Sequence, residues 1–397
     1  MISIEALKVG QKITTNEAIQ IALDLSKKGQ GRVEPNPCVG AVLFNEKTNE
    51  LASWGHHEFF GGPHAEVNCL KNKSSAEGLT MVVTLEPCSH TGKTPPCAKL
   101  LIEKKLSKLV YISEDPNPRV IGSGLKMLKH SGVQVEKAPD KFNQLNRRIN
   151  AKFFHAFENE KSFVHLKWAQ SLDGKMSFKS EKKWITSEAS REHSQFLRAQ
   201  SQMVIVGKQT VLSDDPSLNI RLKVGLNVRL KIGLKEEPSS NSNSDLNLEF
   251  KKNKVGVIDP DLEIENSLEG KNLLKVRDQK DIFFIASKKS SRFETIVLPK
   301  NSKGDLDLTE LPKILFKNFK IQSVFVEGGA KTLGLFLEQK IYDQLSVYVA
   351  PVFFGGQETS GPTDHVDFNA LSLIKNQMSV IEKEHIGNDT LFNFHKT

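Results

Sequence analysis

The chain has 397 residues, too many for one ordinary domain, so two are expected. Its 38% hydrophobic and 26% charged residues suffice for sizeable cores, and four cysteines exclude a disulfide scaffold. The net charge of +8 invites a polyanion partner, yet the segment from Arg221 to Lys254 holds eight Lys or Arg against four Asp or Glu, half of the surplus. A small anionic substrate is therefore the expectation, with no nucleic acid. No run approaches the roughly 18 apolar residues of a membrane span. The first fifteen residues lack the apolar region of a secretory signal, so a cytoplasmic, reduced chain is expected.

Thr14 and Glu17 have capping-box spacing ahead of a helix with Ala18, Ala22 and Leu25 on one face, ending near Gly29. A strand over 38–44, a helix opening at His64 and a strand over 80–84 follow. Next come a helix from about Cys97, a strand over 109–113, a helix after Gly122 and a strand over 133–136. This order predicts an α/β sandwich with a largely parallel sheet over residues 1–144. Residues 145–160 read as a helical or irregular connector. A second α/β series spans 161–397, with strands near 163–169, 203–206, 254–258, 282–286, 323–326 and 345–350. RLKVGL and RLKIGL (221–226 and 229–234) echo one another beside PSSNSNSD (238–245), which reads as a basic surface insertion.

Three cysteines lie between residues 69 and 97, with His64 close by. The pattern is His64-Ala65-Glu66, Glu86-Pro87-Cys88 and Pro96-Cys97. One imidazole and two thiolates make a three-ligand zinc site with a fourth position open to water, whose pKa the metal lowers. Glu66, two residues from the histidine, is placed to shuttle protons. Cys97 and His64 each fall where a helix begins, which favours a thiolate. A closed structural site would need Cys69 or His90 as fourth ligand and would leave Glu66 without a role. Cys38 and Cys69 read as buried packing. Zinc deaminases carry H-x-E and P-C-x-x-C; here the second spacing is C-x8-C.

PNPCVGAVLF (35–44), GGPHAEV (61–67), TLEPCSHTGKTPPC (84–97) and DPNPRVIGSG (115–124) resemble the deaminase half of the bifunctional deaminase–reductases of riboflavin biosynthesis. The likeness covers nearly all of 15–140, and the long C-x8-C insert separates that branch from cytidine and tRNA deaminases. It implies a cytidine-deaminase-like αβα sandwich, zinc on His64, Cys88 and Cys97, and Glu66 as the catalytic proton shuttle. Gly122-Ser123-Gly124 reads as a turn closing this site.

The remaining motifs are KWAQSLDG (167–174), WITSEASREHSQFLRA (184–199), VGKQTVLSDDPSLNIR (206–221) and VEGGAKTLGLFL (326–337). The last sets two glycines between a strand and a helix, where backbone N–H groups can meet a phosphate. It is neither a Walker A loop nor a G-x-G-x-x-G fingerprint. Together the four resemble the reductase half of the same family over roughly 160–397, with a dihydrofolate-reductase-like α/β fold. The resemblance implies NADPH contacts at Ala169, Trp184, Thr210 and Asp214 and along Gly329, Ala330, Lys331, Thr332, Leu333, Gly334 and Leu335. It puts substrate at Arg198, Leu218, Arg221 and Glu327. Two arginines suit a ribose phosphate, and Glu327 can accept ribose hydroxyls. The plainer reading makes Arg198 and Asp214 members of surface ion pairs.

Two features depart from the family. The segment between Asp173 and Trp184 is a residue shorter, with Lys182 where a small polar residue is usual, and the basic insertion replaces a shorter connection. The expectation is thus a cytoplasmic homo-oligomer with Zn2+ and NADPH, acting on a phosphorylated pyrimidine and touching no membrane. The alternative is a nucleobase or tRNA deaminase with a non-reductase binding domain. That would need an aromatic RNA-binding surface, and the chain has three Tyr and three Trp.

Overall fold

The computed structural model describes residues 3–89, 96–118, 120–176, 184–220, 253–355, 360–364, 366 and 378–396. Contacts divide the chain into two units, Met1–Asn159 and Glu160–Thr397. Arg221, Lys182, His90 and the basic insertion with its RLKVGL echo lie outside the described residues.

In the first unit, Thr14 accepts the N–H of Glu17 and Glu17 accepts that of Thr14, closing the capping box that starts α1 (Thr15–Lys27). Ala18, Ile19, Ala22 and Leu25 of α1 bury against Val42, Phe44 and Val82 of a five-stranded sheet. Its order is β2-β1-β3-β4-β5, with β1 (Gly40–Asn45), β2 (Glu50–His56), β3 (Thr80–Leu85), β4 (Lys108–Ser113) and β5 (Gln134–Lys137). β1 runs antiparallel to both β2 and β3, and only β3, β4 and β5 are parallel. The sheet is therefore mixed rather than largely parallel. Helices α2 (Ala65–Leu70), α3 (Cys97–Glu103) and α4 (Ser123–His130) cover the second face through Leu70, Leu101 and Leu128. Residues 145–160 fall mainly in α5 (Asp140–Ile149) and α6 (Ala151–Asn159), inside the first unit. Asn146 donates to Thr84 O and Ser113 Oγ, both at 2.8 Å. Asn150 takes the Cys38 N–H at 2.7 Å and returns a bond to the Cys38 carbonyl at 3.0 Å. These bonds satisfy backbone groups beside the strands that carry the first site.

In the second unit the described strands form one sheet, β10-β9-β8-β7-β11-β6-β12-β14-β13. They are β6 (Phe163–Gln170), β7 (Met203–Gly207), β8 (Lys254–Ile258), β9 (Ile282–Ala286), β10 (Glu294–Val297), β11 (Ser323–Glu327), β12 (Gln344–Val349), β13 (Met378–Ile386) and β14 (Asp389–Lys396). The strands from β10 to β12 run parallel, and the C-terminal hairpin adds an antiparallel edge. The α-helices among the described residues are α7 (Glu188–Ala199), α8 (Lys208–Asp214), α9 (Asn272–Val276), α10 (Leu311–Phe319) and α11 (Ala330–Glu338). Leu315 of α10 and Leu333 and Phe336 of α11 enter the main core. Leu197 of α7 packs with Phe325 and Tyr348, and Val211 of α8 with Val204 and Val257.

Asp389 starts the last strand and is buried. One carboxylate oxygen accepts the Ser187 N–H (2.8 Å), the Ser187 hydroxyl (2.7 Å) and the Ser190 hydroxyl (2.6 Å), fixing the start of α7 to the hairpin. Asp389→Ala strands the Ser187 N–H and leaves the two hydroxyls only longer bonds to the Ile386 carbonyl, at 3.4 and 3.3 Å, so it is expected to cost about 1–3 kcal/mol. A denaturant midpoint equal to wild type would show that this carboxylate contributes nothing.

Candidate active sites

β3, α2 and α3 bring the first cluster together. His64 is the N-cap of α2, Cys97 the first residue of α3, and Cys88 follows β3. The His64 Nδ1 atom lies 3.7 Å from Cys88 Sγ and 3.3 Å from Cys97 Sγ, and all three ligand atoms fall within 4.8 Å of one another. Zinc–sulfur and zinc–nitrogen bonds of about 2.3 and 2.0–2.1 Å at tetrahedral angles require N···S edges of about 3.6 Å. The donor set fits one zinc ion. The Cys88 thiol is held well below its ordinary range because the Cys97 thiol donates to it and, against burial, His64 does too. Such a thiolate is the form a metal takes.

Glu66 is buried on the first turn of α2, at 3% exposure, beside Cys97. Burial pushes its carboxyl pKa up, with His64 pulling the other way. Cys69 instead faces Ser53 Oγ at 3.6 Å, and burial pushes its thiol up to about 12, so it stays a packing residue. Gly122 donates to Glu86 at 2.9 Å and Ser123 Oγ meets Ser89 Oγ at 2.6 Å, so the 122–124 turn does lie against the Cys88 loop.

The second cluster gathers at the ends of β11 and β6. Arg198 Nε and Nη2 bind the Glu327 carboxylate at 2.5 and 3.1 Å, and Nη1 donates to the Asn219 carbonyl at 2.9 Å. Both side chains are 14% exposed. Arg198 is thus paired, with Glu327 rather than Asp214, and three of its five N–H donors are already engaged. Burial tends to raise the Glu327 carboxyl, but the Arg198 charge, its hydrogen bonds and the Lys167 charge together outweigh it and hold the pKa below the ordinary value. Leu218 is buried, and Arg277 donates to its carbonyl at 2.5 Å. Ala169 is half-buried on β6, and Trp184 is exposed beneath the Arg191 guanidinium. Thr210 lies within α8 and Asp214 at its exposed end.

α11 begins where β11 stops, and no described side chain caps it. A Cβ on Gly207 or Gly328 would collide with Thr332, so both glycines let the ends of β7 and β11 close on the first turn. A Cβ on Gly329 would meet nothing within 4 Å, so space is open beside the residue that starts the helix. This cradle fits a cofactor phosphate. Leu333 is fully buried in the core and Leu335 packs against it, so the accessible part of 329–335 is its first turn.

Comparison with known proteins covers both units. Residues 12–113 match the cytidine and deoxycytidylate deaminase zinc-binding region, and residues 162–392 match the RibD C-terminal domain. The riboflavin biosynthesis protein RibD of Aquifex aeolicus is 33% identical over 347 residues, 85% of this chain and 87% of that protein. RibD of Haemophilus influenzae is 35% identical over 345 residues, 85% and 86% of the two chains. The chain belongs to the RibD family. The solved structure of Acinetobacter baumannii RibD, form 1, is similar with a TM-score of 0.79 at 29% identity, covering 96% of this chain and 98% of that one. RibD enzymes join a zinc-dependent deaminase and an NADPH-dependent reductase in riboflavin biosynthesis, and this chain carries both parts.

Two features of this RibD chain escaped sequence reasoning. His57 is buried, with its ring centroid 5.5 Å from that of His64. The Pro63 carbonyl, 2.9 Å from Nδ1, can only accept, so Nε2 is left to accept from the Asn36 amide at 3.1 Å. Asn36 stands inside the quoted PNPC motif, and that was the available signal. Lys167, first residue of KWAQSLDG, places Nζ 5.6 Å from the Tyr348 ring centroid. Burial lowers its ammonium pKa, with Glu327 opposing and Arg198 adding to that shift.

Proposed function

We propose that the first unit replaces the 2-amino group of 2,5-diamino-6-ribosylamino-4(3H)-pyrimidinone 5′-phosphate with oxygen, releasing ammonia. His64, Cys88 and Cys97 hold the zinc. When bound, zinc supplies a Lewis acid that brings the pKa of a coordinated water to about 7. Glu66 takes the proton of the attacking water and delivers it to the leaving amine. Its burial keeps that proton from bulk solvent. The observation that carries this reading is the three-ligand cluster with a buried carboxylate beside it. Purified protein is expected to hold about one zinc per chain. Elemental analysis finding another metal at full occupancy would count against the assignment.

The second unit reduces the ribosyl side chain to give 5-amino-6-(5-phosphoribitylamino)uracil. NADPH, when bound, supplies the hydride. The first turn from Gly329 holds the cofactor's pyrophosphate, and Ala169, Trp184, Thr210 and Asp214 lie along its path. Glu327, held by Arg198, accepts ribose hydroxyls, and Leu218 packs beside the substrate. Arg221 is assigned to the phosphate from the motif alone. Ammonia release and NADPH oxidation, followed together on the diaminopyrimidine substrate, test the pair of activities. The chain acts in the cytoplasm as a homo-oligomer without nucleic acid. Among the described residues no helix is long and apolar enough to cross a membrane.

A further inference from the structure

The segment after α8, which carries Leu218, turns twice against the ordinary preference of its residues. Asp215 has φ +40° and Leu218 φ +48°, a left-handed conformation that is unfavourable for any residue with a Cβ. Such residues persist only where their surroundings over-determine them, and they gather at ligand clamps. Two residues at the ends of α9 hold these turns. Asn272 donates its backbone N–H to Asp215 Oδ1 at 2.9 Å and its amide to the Asp215 carbonyl at 3.0 Å. Arg277, just past the helix, donates through Nη1 to the Ser217 carbonyl and through Nη2 to that of Leu218, the second at 2.5 Å.

Arg277 is 6% exposed, and its remaining bond runs from Nε to the Asn253 carbonyl at 3.0 Å. Among the described residues its hydrogen-bond partners are thus three backbone carbonyls and no carboxylate. Asp281, the acid whose charge acts on it, bonds Lys254 at 3.4 Å. Burial lowers the pKa of Arg277 to about 10, with the Arg198 charge adding to that shift and Asp281 opposing it, so the group stays a cation at neutral pH. A buried charge without an acid is costly unless polar groups answer it, and here two of the three that do belong to the turn at Leu218. Arg198 gives the Asn219 carbonyl one bond but commits Nε and Nη2 to Glu327. The turn itself is held by Arg277.

We propose that Arg277 is a positioning residue of the reductase: its guanidinium fork fixes the turn at Leu218, so that the loop after α8 meets the substrate's 5′-phosphate in one conformation. Arg277 does not touch the substrate. An ammonium could supply the charge, but it lacks the planar fork that spans two adjacent carbonyls. This inference rests on the reading that puts the phosphate at this loop, carried in the sequence by Arg221, two positions after Asn219.

Reduction of the pre-deaminated substrate by the full chain, with and without its 5′-phosphate, tests this. The quantity read is the KM of the dephosphorylated form divided by that of the phosphorylated form. Arg277→Met is expected to lower this ratio by about tenfold, with kcat for the phosphorylated form within about threefold of wild type, since a misplaced contact loop weakens binding before it alters the chemistry. Arg277→Lys keeps the charge without the fork and is expected to lower the ratio nearly as much. It also carries the test if Arg277→Met does not fold, and a ratio of KM values is insensitive to the fraction of folded protein. A fall in kcat with the ratio unchanged would make Arg277 a merely structural residue and overturn the proposal. So would a lysine variant with the wild-type ratio, because charge alone would then suffice. Arg221→Ala tests the underlying reading and is expected to remove most of the advantage of the phosphate. If it does so while the Arg277 variants leave the ratio fixed, the phosphate reading stands and the positioning role falls. If none of the three changes the ratio, the phosphate lies elsewhere and the inference falls with that reading.

Discussion

Glu66→Gln is expected to lower ammonia release by about 10²- to 10⁴-fold while reduction of a pre-deaminated substrate stays near wild type. The substitution keeps the size of the side chain and leaves His64, Cys88 and Cys97 in place. It removes the buried group that can carry a proton from water to the leaving amine, and general acid–base contributions are typically of that size. Nothing in the second unit depends on Glu66, because the Arg198–Glu327 pair and the α11 turn draw on residues of that unit alone. Zinc content and circular dichroism of the variant exclude metal loss or unfolding as the cause. A folded, zinc-loaded variant that still released ammonia at the wild-type rate would remove Glu66 from the mechanism.

Arg198→Ala is expected to destabilise the second unit by about 3–5 kcal/mol, since it leaves the Glu327 carboxylate buried without its counter-charge. Pairing Arg198→Ala with Glu327→Gln removes that orphan charge and is expected to recover part of the loss, which a double-mutant cycle in denaturant measures. Because the guanidinium holds Glu327, reduction is expected to fall equally for substrates with and without the 5′-phosphate. A loss confined to the phosphorylated substrate would place Arg198 on the phosphate instead. The pH dependence has a definite sign. The folded pKa of Glu327 lies below its unfolded value of about 4.3, so the pair's contribution is present above that pH and is lost as pH falls through the folded pKa. Arg198→Ala abolishes that acid-side loss.

Signals that are local in sequence were legible. The Thr14–Glu17 box, the helix starts at His64 and Cys97, and the buried parallel strands such as 282–286 all declare themselves within a few residues. The zinc ligands were legible because their residue types are chemically restrictive. Strand β2, ELASWGH, was not, since small and polar residues interrupt its alternation and only pairing with β1 defines it. β13 is a charged edge strand and was missed for the same reason. The Arg198–Glu327 pair and the Ser190–Asp389 bond join residues 129 and 199 positions apart, a relation that no spacing rule reaches. Lys167 gave no signal as a single lysine in a strand whose other residues from Phe163 to Trp168 are buried. Only its neighbours, brought in by β11 and β12, give it an electrostatic setting.

One chain holds two independent chemistries, one needing zinc and one not. The most direct test is to strip zinc with a chelator and supply the folded protein with NADPH and pre-deaminated substrate. NADPH oxidation is predicted to continue near the rate of the zinc-loaded protein, while ammonia release from the diaminopyrimidine stops and returns only when zinc is restored. NADPH oxidation that vanished with the zinc and came back with it would contradict the claim.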